Sequence, residues 1–228
     1  MRNSAQAEFF DAMKEQLLAL VTLISTVVLP TSESATPLLS PLPDYLQYQE
    51  KQVLAEESLD LTMREPNQTA NQGYADNILL ALHYLKGDVT LPIDWQTIRE
   101  PFTISFVLQP GEIFAFHENV LAEFAHPAVT MNSEFLTTEG YKSVWGLGGN
   151  GVCHLASLMN WVASEAGLEV VAKANHSFAL IPGISQEYGT SIRSQSPSQN
   201  LYIINSLDQP VNFTFKISNN DVSLKITQ

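Results

Sequence analysis

The sequence predicts an α+β fold, in which a central helix led by a glycine-rich loop packs on a mainly antiparallel sheet. Three observations predict it. Glycines crowd positions 146–151, and an amphipathic helical pattern runs from Val152 to Gly167. Five short segments rich in β-branched residues follow this helix. A further segment, FTISFVL at 102–108, alternates apolar and polar residues as a half-buried strand does. One helix accompanied by several short strands is the pattern of an α+β domain.

The elements upstream of the glycine cluster are predicted from shorter patterns. Residues 53–65 contain LDLTMRE, whose leucines alternate with polar residues, so we expect a short strand there. Residues 76–86 place four aliphatic side chains on one helical face, and Gly87 follows as a stop. A Pro-Gly turn then separates the strand at 102–108 from IFAF at 113–116, which resumes extended structure.

The helix after the glycine cluster carries apolar residues at three- and four-residue spacings, so one of its faces should pack on the core. The stripe consists of Val152, Leu155, Ala156, Met159, Val162, Ala163 and Ala166. The strands predicted after it are LEVVAKA at 168–174, HSFALIP at 176–182, LYIINS at 201–206, PVNFTFKI at 210–217 and SLKIT at 223–227.

The composition excludes several classes of protein. The chain has 228 residues, 45% of them hydrophobic, which is enough for a real core and rules out disorder of the whole chain. Its net charge of −13 argues against a nucleic-acid partner, because phosphates are neutralised by a basic surplus. A single cysteine cannot form an internal disulfide or a multi-cysteine zinc site.

The N-terminal region resembles an export signal. Leu17 to Pro30 forms an apolar run of 14 residues, shorter than the roughly 20 that span a bilayer as a helix and suited to the core of a signal peptide. Met13-Lys14 offers a conventional start for such a signal. We therefore expect residues 1–35 to be a signal peptide or an N-terminal membrane anchor, and the protein to be exported. A helix of the folded domain is the alternative.

The domain boundaries follow from this interpretation. Residues 36–52 are predicted to be a Pro/Ser/Thr-rich linker, because they contain several prolines and no sustained helical period. Residues 53–228 are predicted to form a single domain.

Cys153 is the first candidate for chemistry, since it occupies the first turn of the helix that follows the glycines. The unpaired N–H groups and partial positive charge of a helix start stabilise a thiolate, so we expect the pKa of this thiol to fall. Gly149 and Gly151 would let the backbone approach a substrate, and their N–H groups would line an oxyanion site. The alternative is that Cys153 is a small buried core residue.

His176 is the candidate base, because a thiol beside an imidazole is the working unit of cysteine-dependent acyl transfer. Glu187 and Asn205 are the candidates for a third group that orients the imidazole. His154 should point about 100° away from Cys153, which predicts a surface or rim position and, with Trp145, a role in binding substrate. Core packing is the alternative for the tryptophan, and a backbone-bonded buried histidine is the alternative for His176.

Other sites are not indicated. His117, Glu118 and His126 do not match the spacing of a helix-borne zinc motif, so no metal is expected. The glycines lack the Lys-Ser/Thr of a phosphate-binding loop, so no nucleotide and no other cofactor is expected.

Several blocks resemble the VanW family in the same order. GGNGVCHLASLMNWVASEAGLEVV resembles its glycine-rich V-C-Q-x-S-S block and the A-G-L-E that ends the helix. PGEIFAFHENV at 110–120 is similar to its P-G-x-x-F-S-F-N segment, NHSF at 175–178 to its H-S block, and LYIINSLDQPVNFTF to its C-terminal strands. The upstream LDLTMREPN and DNILLALHYLKG also resemble extensions found in some members. The resemblance covers roughly residues 57–228.

The resemblance implies an exported bacterial envelope protein connected with peptidoglycan, and the family takes its name from glycopeptide-resistance clusters. It does not by itself imply catalysis. The expected function is the binding of wall peptide or of an envelope protein, and the alternative is a thiol-dependent peptidase or transpeptidase acting through Cys153 and His176. The order of cysteine, histidine and acid is similar to papain-like and transglutaminase-like enzymes. Two blocks depart from the family: its Gln after the cysteine is His154, and its acidic residue aligns near Tyr188, beside Glu187.

Overall fold

The computed structural model describes residues 51–228, which lie in one compact unit. The predicted signal or anchor, residues 1–35, and all but the last two residues of the predicted linker lie outside the described residues. Within residues 51–228, no helix has the length and apolar character needed to cross a membrane.

The described chain contains three α-helices and ten strands, joined by loops with short 3-10 turns. The helices are α1 (Gln68–Lys86), α2 (Trp95–Ile98) and α3 (Val152–Glu165). The strands are β1 (Val53–Asp60), β2 (Thr103–Leu108), β3 (Ile113–Ala115), β4 (Val129–Thr130), β5 (Ser143–Val144), β6 (Leu147–Gly148), β7 (Glu169–Val171), β8 (Tyr202–Ile204), β9 (Val211–Ile217) and β10 (Asp221–Thr227).

The main sheet has the order β1-β10-β9-β2, and all of its pairs are antiparallel. Its strands alternate between one buried and one exposed face, as a sheet covered on one side requires. In β9 and β10 the buried apolar positions are Val211, Phe213, Phe215, Ile217, Val222, Leu224 and Ile226. Helix α3 lies against β1 and β10, and α1 packs on α3. The predicted α+β class is therefore confirmed.

The second sheet has the order β4-β3-β8-β7, with β3 and β4 parallel and the other pairs antiparallel. Strands β5 and β6 form a separate hairpin. This hairpin approaches α1 closely, because a Cβ atom at Gly73 would lie 2.6 Å from Cγ2 of Val144. A larger residue at that point of α1 would have to displace the Val144 side chain.

Helix α1 begins earlier than predicted. Its predicted range, 76–86, covers only the part with an apolar stripe, whereas the helix starts at Gln68. Asn67 supplies the missing start signal, since its side-chain Oδ1 accepts a hydrogen bond from the N–H of Ala70 at 3.0 Å. The predicted end is confirmed, because Gly87 closes the helix in the left-handed region at φ 78°.

The strand predicted at 176–182 is wrong. This segment forms turns, and the side chains of Phe178 and Leu180 are 75% and 82% exposed. Its extended structure is limited to a single bridge between Asn175 and Thr190. The composition of the segment favours a strand, but no strand of the described residues pairs with it. The other strands predicted after α3 are confirmed as β7, β8, β9 and β10.

Candidate functional site

Cys153 lies in the first turn of α3, and Gly151 is the residue that starts this helix. Gly151 has φ 104°, and a Cβ atom there would lie 2.5 Å from the carbonyl oxygen of Tyr74 in α1. Glycine is therefore required, both for the backbone conformation and for the close approach of two helices. The first turn of α3 is fixed against α1 at this point.

The Cys153 thiol is held by the backbone of Ile192. The N–H of Ile192 donates to Sγ at 3.4 Å, and Sγ faces the Ile192 carbonyl oxygen at 3.9 Å. Although the residue is partly exposed, burial raises the pKa of its thiol, and the backbone hydrogen bonds only reduce that rise. The expected fall in the pKa is wrong, because loss of hydration outweighs the helix start.

His176 is also bound to backbone. Its Nδ1 donates to the carbonyl oxygen of Ala179 at 3.0 Å, which folds the turn around the imidazole. Its ring contacts the ring of Phe178, with centroids 4.0 Å apart. Within residues 51–228, no hydrogen bond joins His176 to Cys153. The pairing of these two side chains stays a prediction.

His154 is buried, and its predicted surface or rim position is wrong. Only 5% of the residue is exposed, and its ring lies between Tyr74 and His176, with centroids 5.4 and 6.1 Å away. The face of α3 next to Cys153 is covered by α1 and not by solvent. Burial, together with the charges of Arg64 and His176, lowers the pKa of His154 to about 3. Its Nδ1 has no hydrogen-bond partner among the described residues.

The two candidates for a third catalytic group do not hydrogen-bond to His176. Glu187 is exposed and accepts from Ser185 Oγ at 3.1 Å. Asn205 is fully buried, and its amide donates to the carbonyl oxygens of Leu108 and Gln209 at 2.9 and 2.8 Å. Asn205 therefore fixes the connection between β8 and β9 as a structural residue.

The predicted substrate-binding residues differ in their surroundings. Gly149 has φ 68°, and a Cβ atom there would lie 3.0 Å from the Phe135 carbonyl oxygen, so it is needed for packing. Trp145 stands at the turn between β5 and β6 and is 70% exposed. This tryptophan is available to a ligand, whereas the glycines, like His154, are enclosed by neighbouring chain.

Sequence reasoning missed the polar residues that hold the loop over α3. Ser157 Oγ accepts from the N–H of Thr190 at 2.8 Å, and Asn160 donates to Thr190 Oγ1 at 3.1 Å. Arg64 is buried, and its guanidinium donates to the carbonyl oxygen of Pro182 at 3.0 Å. Ser157 and Asn160 could have been recognised as polar residues that lie among the apolar residues of α3. Nothing in the sequence marked Arg64.

A chain of contacts connects Phe178 with the β5–β6 hairpin. Phe178 packs on His176, which faces His154, which in turn faces Tyr74. Asn150 donates to the Tyr74 hydroxyl at 3.4 Å and accepts from the backbone of the β5–β6 hairpin. We name the three exposed side chains of this region, Trp145, Phe178 and Leu180, the apolar rim.

The described residues contain no group of three or more His, Cys, Asp or Glu side chains placed to hold a metal ion. The Nε2 of His117 instead donates to the carbonyl oxygen of Gln199 at 3.1 Å, and its Nδ1 accepts from the Asn200 amide at 3.3 Å. A large cavity, of about 780 Å³, is lined by Lys51, Val107 and Asn212 and not by the residues around Cys153.

Comparison with known proteins gives one match. A family model described as "VanW like protein" matches residues 103–227, which is more than half of the chain. No curated protein and no solved structure matches the chain. The match begins at β2, so β1 and α1 precede it although they belong to the same compact unit.

Proposed function

The chain belongs to the family of VanW-like proteins, and from this membership we propose that it is a cell-envelope protein that binds the peptide part of peptidoglycan. The family link supports an envelope setting, and the apolar rim supports peptide binding. The acidic net charge of −13 would repel anionic wall polymers, so contact with peptide is favoured over attraction to the polymers.

The observation that carries this proposal is the exposure of the three large apolar side chains of the apolar rim. Trp145, Phe178 and Leu180 are 70%, 75% and 82% exposed. The thiol of Cys153 faces the Ile192 backbone, and the imidazole of His176, which contacts Phe178, bonds to Ala179. Exposed aromatic side chains supply large contact areas to a ligand.

A pull-down with purified peptidoglycan tests the proposal. The wild-type chain should be retained by intact peptidoglycan and not by glycan strands from which the peptides have been removed. Trp145→Ala/Phe178→Ala should lose most of the retention. Val107→Ala is the matched control, because Val107 is an exposed apolar residue of β2 and should be neutral. Failure of the wild-type chain to bind, or binding to peptide-free glycan, contradicts the proposal.

A thiol-dependent peptidase is the second candidate, and the tautomer of His176 favours it. Because Nδ1 donates to the carbonyl oxygen of Ala179, Nε2 is the ring nitrogen that could accept a proton, as a general base requires. Such an enzyme would have to move Sγ of Cys153 away from Ile192. Release of new peptide products from peptidoglycan by the wild-type chain, absent with Cys153→Ala, would establish this candidate in place of simple binding.

The envelope setting requires export, which we propose depends on the apolar run from Leu17 to Pro30. Fractionation of cells that express the full chain should find the protein outside the cytoplasm. Substitution of two leucines of this run by lysine should retain it in the cytoplasm. An unchanged distribution contradicts the proposal.

A further inference from the structure

Asp76 of α1 is a fully buried carboxylate that joins three parts of the chain. Arg99, which follows α2, donates to both of its oxygens at 2.8 Å from Nε and Nη2. Lys142, which precedes β5, donates through Nζ, and Gln72 donates from one turn earlier in α1 at 2.9 Å. These four hydrogen bonds use the lone pairs of the carboxylate, so Asp76 has no capacity left for a ligand.

The cluster carries more positive than negative charge. Burial would raise the pKa of Asp76, but hydrogen bonds from Arg99 and Lys142 hold it below its ordinary value, so the group is ionised. Two cations therefore share one carboxylate, in a chain whose net charge is −13. The cationic side chains remain 43% and 33% exposed. Three guanidinium N–H groups and two ammonium protons stay available to an acceptor.

Trp95 forms one wall beside these cations. Lys142 Nζ lies 4.3 Å from the centroid of a Trp95 ring, and Cζ of Arg99 lies 5.9 Å away. The ring of Trp95 and the carboxylate of Asp76 hold the flexible side chains of Arg99 and Lys142 in place. The cost of ordering them on ligand binding is correspondingly small.

Two open cavities flank the cluster on either side of Gln72, which lines both. The one of about 590 Å³ contains Lys142, and the one of about 300 Å³ contains Arg99. None of the residues that line them is acidic, although 24 residues of the chain are. The smaller cavity is rich in side-chain amides, which donate to and accept from polar groups: Gln68, Asn71, Gln72, Asn219 and Asn220. The amide of Asn71 is already bonded to the backbone of Arg64, Glu65 and Leu61.

We propose that these two cavities form one site, the α1 groove, that binds a small polar ligand through its carboxylate group. The free donors of Arg99 and Lys142 contact the carboxylate, since charge-assisted hydrogen bonds to carboxylates are among the strongest that a surface can form. The amides contact the neutral polar groups of the ligand. The first turn of α1 adds the partial positive charge of a helix N-terminus. The residues that line this site are not those of the apolar rim, although Ser143 and Val144 directly precede Trp145 in the chain.

Titration of the full chain with small carboxylates tests the α1 groove. Sodium N-acetylalaninate represents a peptide carboxylate, and sodium glucuronate represents a sugar carboxylate. N-acetylalaninamide and glucose are their neutral counterparts. NMR should show shifts of the Gln72 amide and the Arg99 Nε–H with at least one carboxylate and with neither neutral compound, and the stronger binder identifies the source. Equal response to the charged and the neutral compounds overturns the proposal.

Two variants locate the binding site without removing Asp76. Lys142→Gln should weaken carboxylate binding by about tenfold, the loss expected for one hydrogen bond between charged groups. Asn219→Asp should weaken it similarly, because this exposed residue lines the smaller cavity and would acquire a negative charge. Lys86→Gln is the matched control, since Lys86 pairs with Asp88 at the other end of α1 and should be neutral. Unchanged binding by the first two variants, in chains that melt as the wild type does, overturns the proposal.

Discussion

At the scale of single residues, burial determines the protonation states of the side chains around Cys153. A helix start favours a thiolate by its partial charge, but the Cys153 thiol is surrounded by chain and its pKa is raised. His154, the next residue, is enclosed between Tyr74 and His176 and is kept neutral. The two side chains at the helix start are thus held in their uncharged forms.

The depressed pKa of His154 predicts acid sensitivity. The folded pKa of about 3 lies below the ordinary value of 6.5, so the unfolded chain binds more protons between these two pH values. The free energy of unfolding should therefore fall as pH decreases from 6.5 towards 3, by an amount on the order of a few kcal/mol. Urea unfolding at a series of pH values measures this slope.

Two variants isolate the contribution of His154 to that slope. His154→Phe should reduce the pH dependence in this window, because the aromatic packing against Tyr74 is kept and the titrating group is lost. His126→Asn is the control, since His126 is exposed and has φ 64°, which asparagine tolerates. An unaltered slope in His154→Phe would show that other groups cause the acid sensitivity.

At the scale of elements, the start of α3 depends on a glycine that α1 makes necessary. Gly151→Ala would place a Cβ atom 2.5 Å from the Tyr74 carbonyl oxygen, in addition to backbone strain at φ 104°. We expect it to lower the free energy of unfolding by more than about 3 kcal/mol, since overpacking adds to the strain. Thermal melting and urea unfolding provide the measurement.

Gly167→Ala separates the two causes. Gly167 follows α3 with φ 78°, and a Cβ atom there would meet nothing within 4 Å. Its substitution should cost only the backbone strain, about 1 kcal/mol. Equal losses in the two variants would mean that the contact between α1 and α3 does not require Gly151.

The sequence could predict the elements whose pattern is local. The stripe of α3, the left-handed glycine after α1 and the alternation in β2 each reflect a period that a chain shows by itself. The α+β class followed from these. The early start of α1 was missed because one asparagine cap determines it, where no apolar stripe exists.

The candidate site was less predictable, because the burial of its side chains depends on which elements of the fold pack against one another. The direction of His154 relative to Cys153 follows from helix geometry, but that α1 buries this side of α3 does not. The segment around His176 resembled a strand by composition, whereas Arg64 and Asn160 hold the adjoining segments from distant positions. Long-range hydrogen bonds of this kind leave no periodic signal.

At the scale of the whole molecule, the family match covers only part of the folded unit. Strand β1 pairs with β10 along its length, and α1 contributes Ile78, Leu80 and Leu82 to the core with no exposed surface. Both elements precede residue 103, where the match begins. The matched part alone would lack one edge of the main sheet and a helix that packs on α3.

This arrangement predicts that residues 101–228 do not fold alone, whereas residues 51–228 do. Loss of β1 and α1 exposes apolar surface of β10 and α3, and the remaining core cannot offset the conformational entropy. NMR amide dispersion and cooperative thermal unfolding should be present in the longer chain and absent in the shorter. A well-dispersed spectrum of residues 101–228 would show that β1 and α1 are accessory.

The central proposal is that the chain binds a ligand through the apolar rim and that Cys153 is not an activated thiol. The most direct test is the rate of iodoacetamide alkylation of the intact chain as a function of pH, since Cys153 is its only cysteine. We expect slow alkylation with an apparent thiol pKa above about 8.5, the ordinary value for cysteine, because burial raises the pKa of this thiol. An apparent pKa below about 7 that rises in His176→Ala would contradict it, because such behaviour is that of an activated nucleophile.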